Sequence, residues 1–166
     1  MTAARQKRKR LCASFGPLFG LIAALAAGPT ATIAATTERI VVDWNSGLAI
    51  GGYDPVAFFT DGRPIAGRAE FELRYAGAIW RFRNTGNLAA FAATPAIYMP
   101  QFGGYDPLGV VRGIAVAGNP NVWLISGERL YLFYDRARLE RFAADSERFI
   151  ADAERRWPEV QRALSP

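Results

Sequence analysis

The pentapeptide Gly-Gly-Tyr-Asp-Pro occurs twice, at 51–55 and 103–107, and it holds the side chains best suited to chemistry. Asp54 and Asp106 each stand between a tyrosine and a proline. If paired turns bring them together, the two carboxylates could move protons or hold a hard cation such as Ca²⁺ or Mg²⁺. Tyr53 and Tyr105 would set phenol groups beside them. Arg112 follows the second turn and could neutralise Asp106 or grip an anionic ligand through two parallel N–H donors. Each aspartate also has a structural role open to it. Asp54 before Pro55 has the form of a helix N-cap followed by proline at the first helical position, a cap contributing about 1 kcal/mol. Asp106 before Pro107 suits an Asx-type turn. A Ca²⁺ site usually takes six or more oxygens, and no Asp-rich loop is present to supply them.

What the chain lacks narrows the chemistry further. Past residue 35 it has no cysteine, histidine or lysine. Thiolate nucleophiles, imidazole bases and Ser-His or Ser-Lys hydrolase centres are therefore excluded from that part. Soft metals need thiolate, thioether or imidazole ligands, and only the thioether of Met99 remains. No metal-ligating set, catalytic residue or cofactor is expected. A disulfide framework is ruled out as well, so packing alone must hold the domain.

The first ten residues carry Arg5, Lys7, Arg8, Lys9 and Arg10 and no acid. An apolar stretch from Leu11 to Ala27 follows, then small residues from Gly28 to Ala35. This order predicts a secretory signal peptide over 1–35, cut between Ala26 and Ala35, and a periplasmic or secreted protein with no stable membrane anchor after cleavage. The chain has 20 basic and 15 acidic residues, and five of the basic ones lie in that segment. The remainder balances at 15 arginines against 15 acids, so the high overall isoelectric point argues for no nucleic-acid partner. Residues 36–47 read as a leader, 48–158 as one domain and 159–166 as a C-terminal tail.

Patterning within the domain predicts an α+β fold with two β-hairpins, short peripheral helices and a C-terminal amphipathic helical segment. Val56–Thr60 reads as a short helix ended by Asp61-Gly62. Phe71 to Phe82 alternates around Ala76-Gly77, a hairpin pattern. Gly86 to Ala93 has helical spacing, with Asn84 or Thr85 as cap and Pro95 as stop. Val110 to Val116 reads as a strand with Gly113 inside it. A second hairpin flanks Ser126-Gly127-Glu128-Arg129. Leu139 to Arg156 reads as a charged helix or pair of helices, with Trp157-Pro158 marking its end. Around the two pentapeptides, upstream residues do not match and downstream similarity is generic apolarity, so they read as two turns with similar backbone needs rather than as a repeat.

A family resemblance rests on several stretches together. They are Gly52-Tyr53-Asp54-Pro55-Val56-Ala57-Phe58-Phe59, Tyr75-Ala76-Gly77, Trp80-Arg81-Phe82, Phe91, Pro95, Tyr98 and Gly103-Gly104-Tyr105. This ensemble, spread over residues 48–158, resembles the YHS domain family, and more narrowly the exported single-domain YHS proteins of bacteria. The resemblance implies a small α+β domain, often described as a heavy-metal-binding module. It also implies cysteines after Asp-Pro-Val, after the hairpin aromatics and four residues on, and after the second Gly-Gly-Tyr. Those positions here hold Ala57, Arg83, Asn87 and Asp106. The expectation is therefore an exported, non-catalytic YHS-like domain without the family's soft-metal ligands. It would bind a small molecule or an envelope protein through Tyr53, Asp54, Tyr105, Asp106 and Arg112. The alternatives are a hard-cation enzyme or metal-binding protein using Asp54 and Asp106, and a structural module of the cell envelope.

Overall fold

The computed structural model describes residues 39–164. The expected signal peptide and its cleavage site lie outside these residues. Among them, no helix is long and apolar enough to cross a membrane.

The fold is α+β. After a tight 3₁₀ turn at Ile50–Gly52 come α1 (Ala57–Thr60), β1 (Arg68–Tyr75), β2 (Ala78–Phe82), α2 (Thr85–Ala93) and α3 (Pro95–Tyr98). A second 3₁₀ turn at Gln101–Gly104 leads to α4 (Pro107–Val111), β3 (Asn119–Ser126), β4 (Arg129–Phe133), α5 (Arg136–Ala143) and α6 (Ser146–Ala163). β1 pairs antiparallel with β2, and β3 with β4, as two separate two-stranded sheets. Both hairpins close through two residues of positive φ, Ala76 (51°) with Gly77 (83°) and Gly127 (56°) with Glu128 (58°). That left-handed pair matches the twist of the flanking strands.

Three sequence expectations are corrected. Val110 to Val116 is not a strand. The Asp106 carboxylate caps the backbone at Gly109 and Pro107 opens α4, and these start signals override the β-branched composition. The chain then turns through Gly113 at φ 74°. Trp157-Pro158 does not end the last helix. α6 continues through Pro158 to Ala163, a course that buries Val160 and Leu164, and this packing outweighs proline's missing donor.

The third correction concerns the repeat. The two pentapeptides are the visible part of an internal duplication. Each 3₁₀ turn holds a non-glycine at positive φ, Ile50 (44°) and Phe102 (55°), followed by two glycines. The Gly67 amide donates to the Gly52 carbonyl and the Gly118 amide to the Gly104 carbonyl, at 2.9 and 3.0 Å. Both hairpins shift register at their open end, between Arg68 and Glu72 and between Asn119 and Trp123. Asn84 caps α2 through the Asn87 amide, and Asp135 caps α5 through the Arg138 amide. The turns lie 52 positions apart and the hairpins 51. That slip of one residue between turn and hairpin conceals the match. With it, Ala66, Gly67, Leu73, Phe82, Leu88 and Phe91 align with identical residues at 117, 118, 124, 133, 139 and 142.

Each repeat has its own apolar core, and β4 serves both. Leu130 and Leu132 pack with Trp80, Phe82 and Phe91 of the first repeat. Tyr131 and Phe133 face the other way, onto Phe142, Phe149 and α6. Strand alternation thus joins the two cores. Ile40 and Val41, placed by sequence in the leader, are buried, one in each core. The Val41 amide donates to the Gly103 carbonyl at 2.8 Å.

Candidate functional site

The two aspartates occupy equivalent places, and neither has any exposed surface. Asp54 Oδ1 accepts the Val56 amide at 2.9 Å, and Oδ2 accepts the Arg83 amide at 2.9 Å and Asn87 Nδ2 at 2.7 Å. Asp106 Oδ1 accepts the Gly109 amide at 2.9 Å, and Oδ2 accepts the Tyr134 amide at 2.8 Å. Arg138 Nη1 lies 3.4 Å from Asp106 Oδ1. The roles read from sequence are exchanged. Asp54 makes the Asx-type contact two residues on, and Asp106 makes the N-cap contact three residues on. Each carboxylate also ties its turn to the chain leaving the hairpin, 29 residues away for Asp54 and 28 for Asp106.

This geometry disposes the site residues in two separate groups. The partners of each aspartate come from its own repeat, and N–H groups point their positive ends at every carboxylate oxygen. Those donors occupy the oxygens that a hard cation would need as ligands. Among the described residues, no cluster of three or more acidic, histidine or cysteine side chains could hold a metal ion. Tyr53 is half-buried, and its phenol oxygen accepts Asn121 Nδ2 at 3.4 Å. Tyr105 is fully buried, its ring 6.2 Å from that of Trp157. Arg112 is exposed at the end of α4 and borders a cavity of about 200 Å³ with Leu108, Asp135, Ala137, Arg138 and Arg141.

A larger feature was not anticipated. An open groove of about 1000 Å³ runs between the two hairpin tips, with the 96–103 stretch, Arg39 and Trp157 on its walls. Phe102 and Trp157 meet edge-on at 5.7 Å between ring centres. Arg129 Nη1 donates to Gln101 Oε1 at 3.1 Å. Ile97, half exposed, adds apolar surface. The backbone at Gly103 is pressed so close to the chain at Arg39 that a Cβ there would sit 2.0 Å from the Arg39 carbonyl oxygen. This glycine is therefore a packing requirement of the groove's floor. The positive φ of Phe102 recurs at Ile50, outside the groove, so it belongs to the repeated turn and not to the groove alone.

Searches against family models, curated proteins and solved structures return no match to this chain.

The second Gly-Gly-Tyr turn was the one sequence signal that pointed near the groove. Arg129, in a hairpin turn, and Trp157, before a proline, carry only local structural signals in the sequence. Only the repeat alignment, which sets Arg138 over Asn87, singles out Arg138.

Proposed function

We propose that this chain is an exported, non-catalytic ligand-binding domain of the YHS kind, with the groove between the hairpin tips as its ligand site. The groove carries the reading. Its volume fits a small organic molecule, and it joins an aromatic and aliphatic wall, Phe102, Trp157 and Ile97, to a few polar anchors, Gln101 and Arg129. Among the described residues its polar lining is Arg39, Gln101, Glu128, Arg129 and Gln161, groups suited to hold a ligand's polar atoms.

The YHS part of the proposal rests on the residues quoted above and gains support from one arrangement. Of the positions where the resemblance implies thiols, 83 and 87 both donate to the buried Asp54, and Ala57 directly follows Val56, which also donates to it. Position 106, the fourth, is the equivalent aspartate of the second repeat. In this chain hydrogen bonds occupy both places, so ligand recognition moves to the groove.

The test is native mass spectrometry with elemental analysis on protein recovered from its own export compartment. The expected result is an N-terminus between Ala27 and Thr36, a bound organic mass that is lost in Trp157→Ala, and no stoichiometric copper or zinc. A retained soft metal, or an organic mass indifferent to Trp157→Ala, would overturn the proposal.

A further inference from the structure

We infer that the second repeat carries an oxyanion site, formed by Arg112, Arg138 and Arg141 around the cavity between α4 and α5. Three guanidinium groups border a space of about 200 Å³, and Asp135 is the one acid on its wall. The lining thus sums to two positive charges. Arg138 spends part of its charge on the buried Asp106, but at 3.4 Å, and it stands 3.9 Å from Asp135. These are long contacts that leave most of its five donors uncommitted. Arg141 lies over the Phe149 ring, and neither it nor Arg112 forms an ion pair among the described residues.

The first repeat shows that the fold does not need this charge. There Asn84 occupies the Asp135 position, Asn87 that of Arg138 and Ala90 that of Arg141. Asn87 satisfies its buried aspartate without any charge, at 2.7 Å. The residue closing α1 is Asp61, already paired with Arg83, whereas the residue closing α4 is Arg112. The second repeat has therefore gathered three cations where the first has the neutral Asn87 and Ala90 and the acid Asp61. An anion with several acceptor oxygens offsets their like charge and matches guanidinium geometry. The cavity holds roughly six or seven waters' worth of volume, which is room for a phosphate-class dianion. The dianion is either free or the terminal phosphate of a larger solute. The site is separate from the groove and does not depend on what the groove binds.

Inorganic phosphate and glycerol 3-phosphate are titrated at low ionic strength, following backbone amide shifts by NMR. Saturable shifts confined to residues 107–112 and 134–142 are expected, with a dissociation constant on the order of 1 mM. Matching affinities for the two would mark a terminal phosphate as sufficient, and phosphate alone would mark the free ion. Arg112→Gln with Arg141→Gln should weaken binding about tenfold or more while leaving the melting temperature in place, since each loses a charge-assisted donor. Asp135→Asn imitates the first repeat, keeps the helix cap and should tighten binding about twofold to fivefold. Arg74→Gln, on an exposed strand, should change nothing. Absence of saturation by about 10 mM, equal loss in Arg74→Gln, or weaker binding in Asp135→Asn would overturn the inference.

Discussion

Replacing Asp106 by alanine tests the assignment of the paired aspartates most sharply. The side chain is wholly buried and accepts two backbone amides, Gly109 and Tyr134. Alanine leaves the buried Gly109 amide and the part-buried Tyr134 amide without an acceptor, at about 1–3 kcal/mol for a buried donor and less for the other. Arg138 also loses the carboxylate beneath it. We expect a total loss of roughly 3–5 kcal/mol, a large share of the 5–15 kcal/mol that holds an ordinary domain together. Asp106→Asn keeps one acceptor oxygen but turns an amide N–H toward one of the donors, so it should lose about half as much. Asp54→Ala should match Asp106→Ala, because it strands the Val56 and Arg83 amides in the same way. Urea unfolding followed by far-ultraviolet circular dichroism gives the midpoint, and an unchanged m-value assigns the loss to stability. A thiol introduced as Asp106→Cys should label only as the protein unfolds. A loss below about 1 kcal/mol in Asp106→Ala, or rapid labelling of the folded cysteine variant, would refute the structural role.

Other consequences are as direct. Gly67→Ala should unfold the first hairpin or cost more than about 2 kcal/mol, because a Cβ there would stand 2.5 Å from the Arg81 backbone carbon; thermal melting reads this. Ala76→Asn should stabilise the protein by roughly 0.5–1 kcal/mol, since Ala76 sits at φ 51° in its turn; an unchanged or lowered midpoint counts against it. Burial raises the Tyr131 phenol above its ordinary value. Its neutral form is thus favoured in the folded protein, while the unfolded chain ionises near pH 10. Stability should be full below about pH 10 and fall as pH rises beyond it, and Tyr131→Phe should flatten that fall in alkaline urea titrations.

Most of the architecture could be read from the sequence because local signals agreed. Alternation placed both hairpins, Asn84 marked the start of α2, and apolar spacing gave the helical C-terminus. Sequence reasoning failed where longer-range forces decided. Val110 and Val111 have strand composition, but the Asp106 cap and the burial of Leu108 and Val110 make them helical. Pro158 normally stops a helix, yet Val160 and Leu164 have core places to fill. The duplication hid behind one deleted residue between turn and hairpin, a change that loop backbone absorbs easily. Of the site, Asp54 and Asp106 were visible from their motif, and their burial was not. Nothing local distinguishes a surface carboxylate from one bonded to an amide 28 residues on. The groove was illegible because its walls come from segments far apart in the chain and meet only when both repeats fold.

The central claim, that the groove between the hairpin tips is a ligand site, is tested most directly by screening a library of small aromatic and aliphatic acids and amides by protein-observed NMR. The account predicts hits whose shifts concentrate on residues 96–103, 127–129 and 157–161, and which disappear in Trp157→Ala and weaken in Arg129→Gln. Hits that cluster elsewhere, or that survive both substitutions, would contradict it.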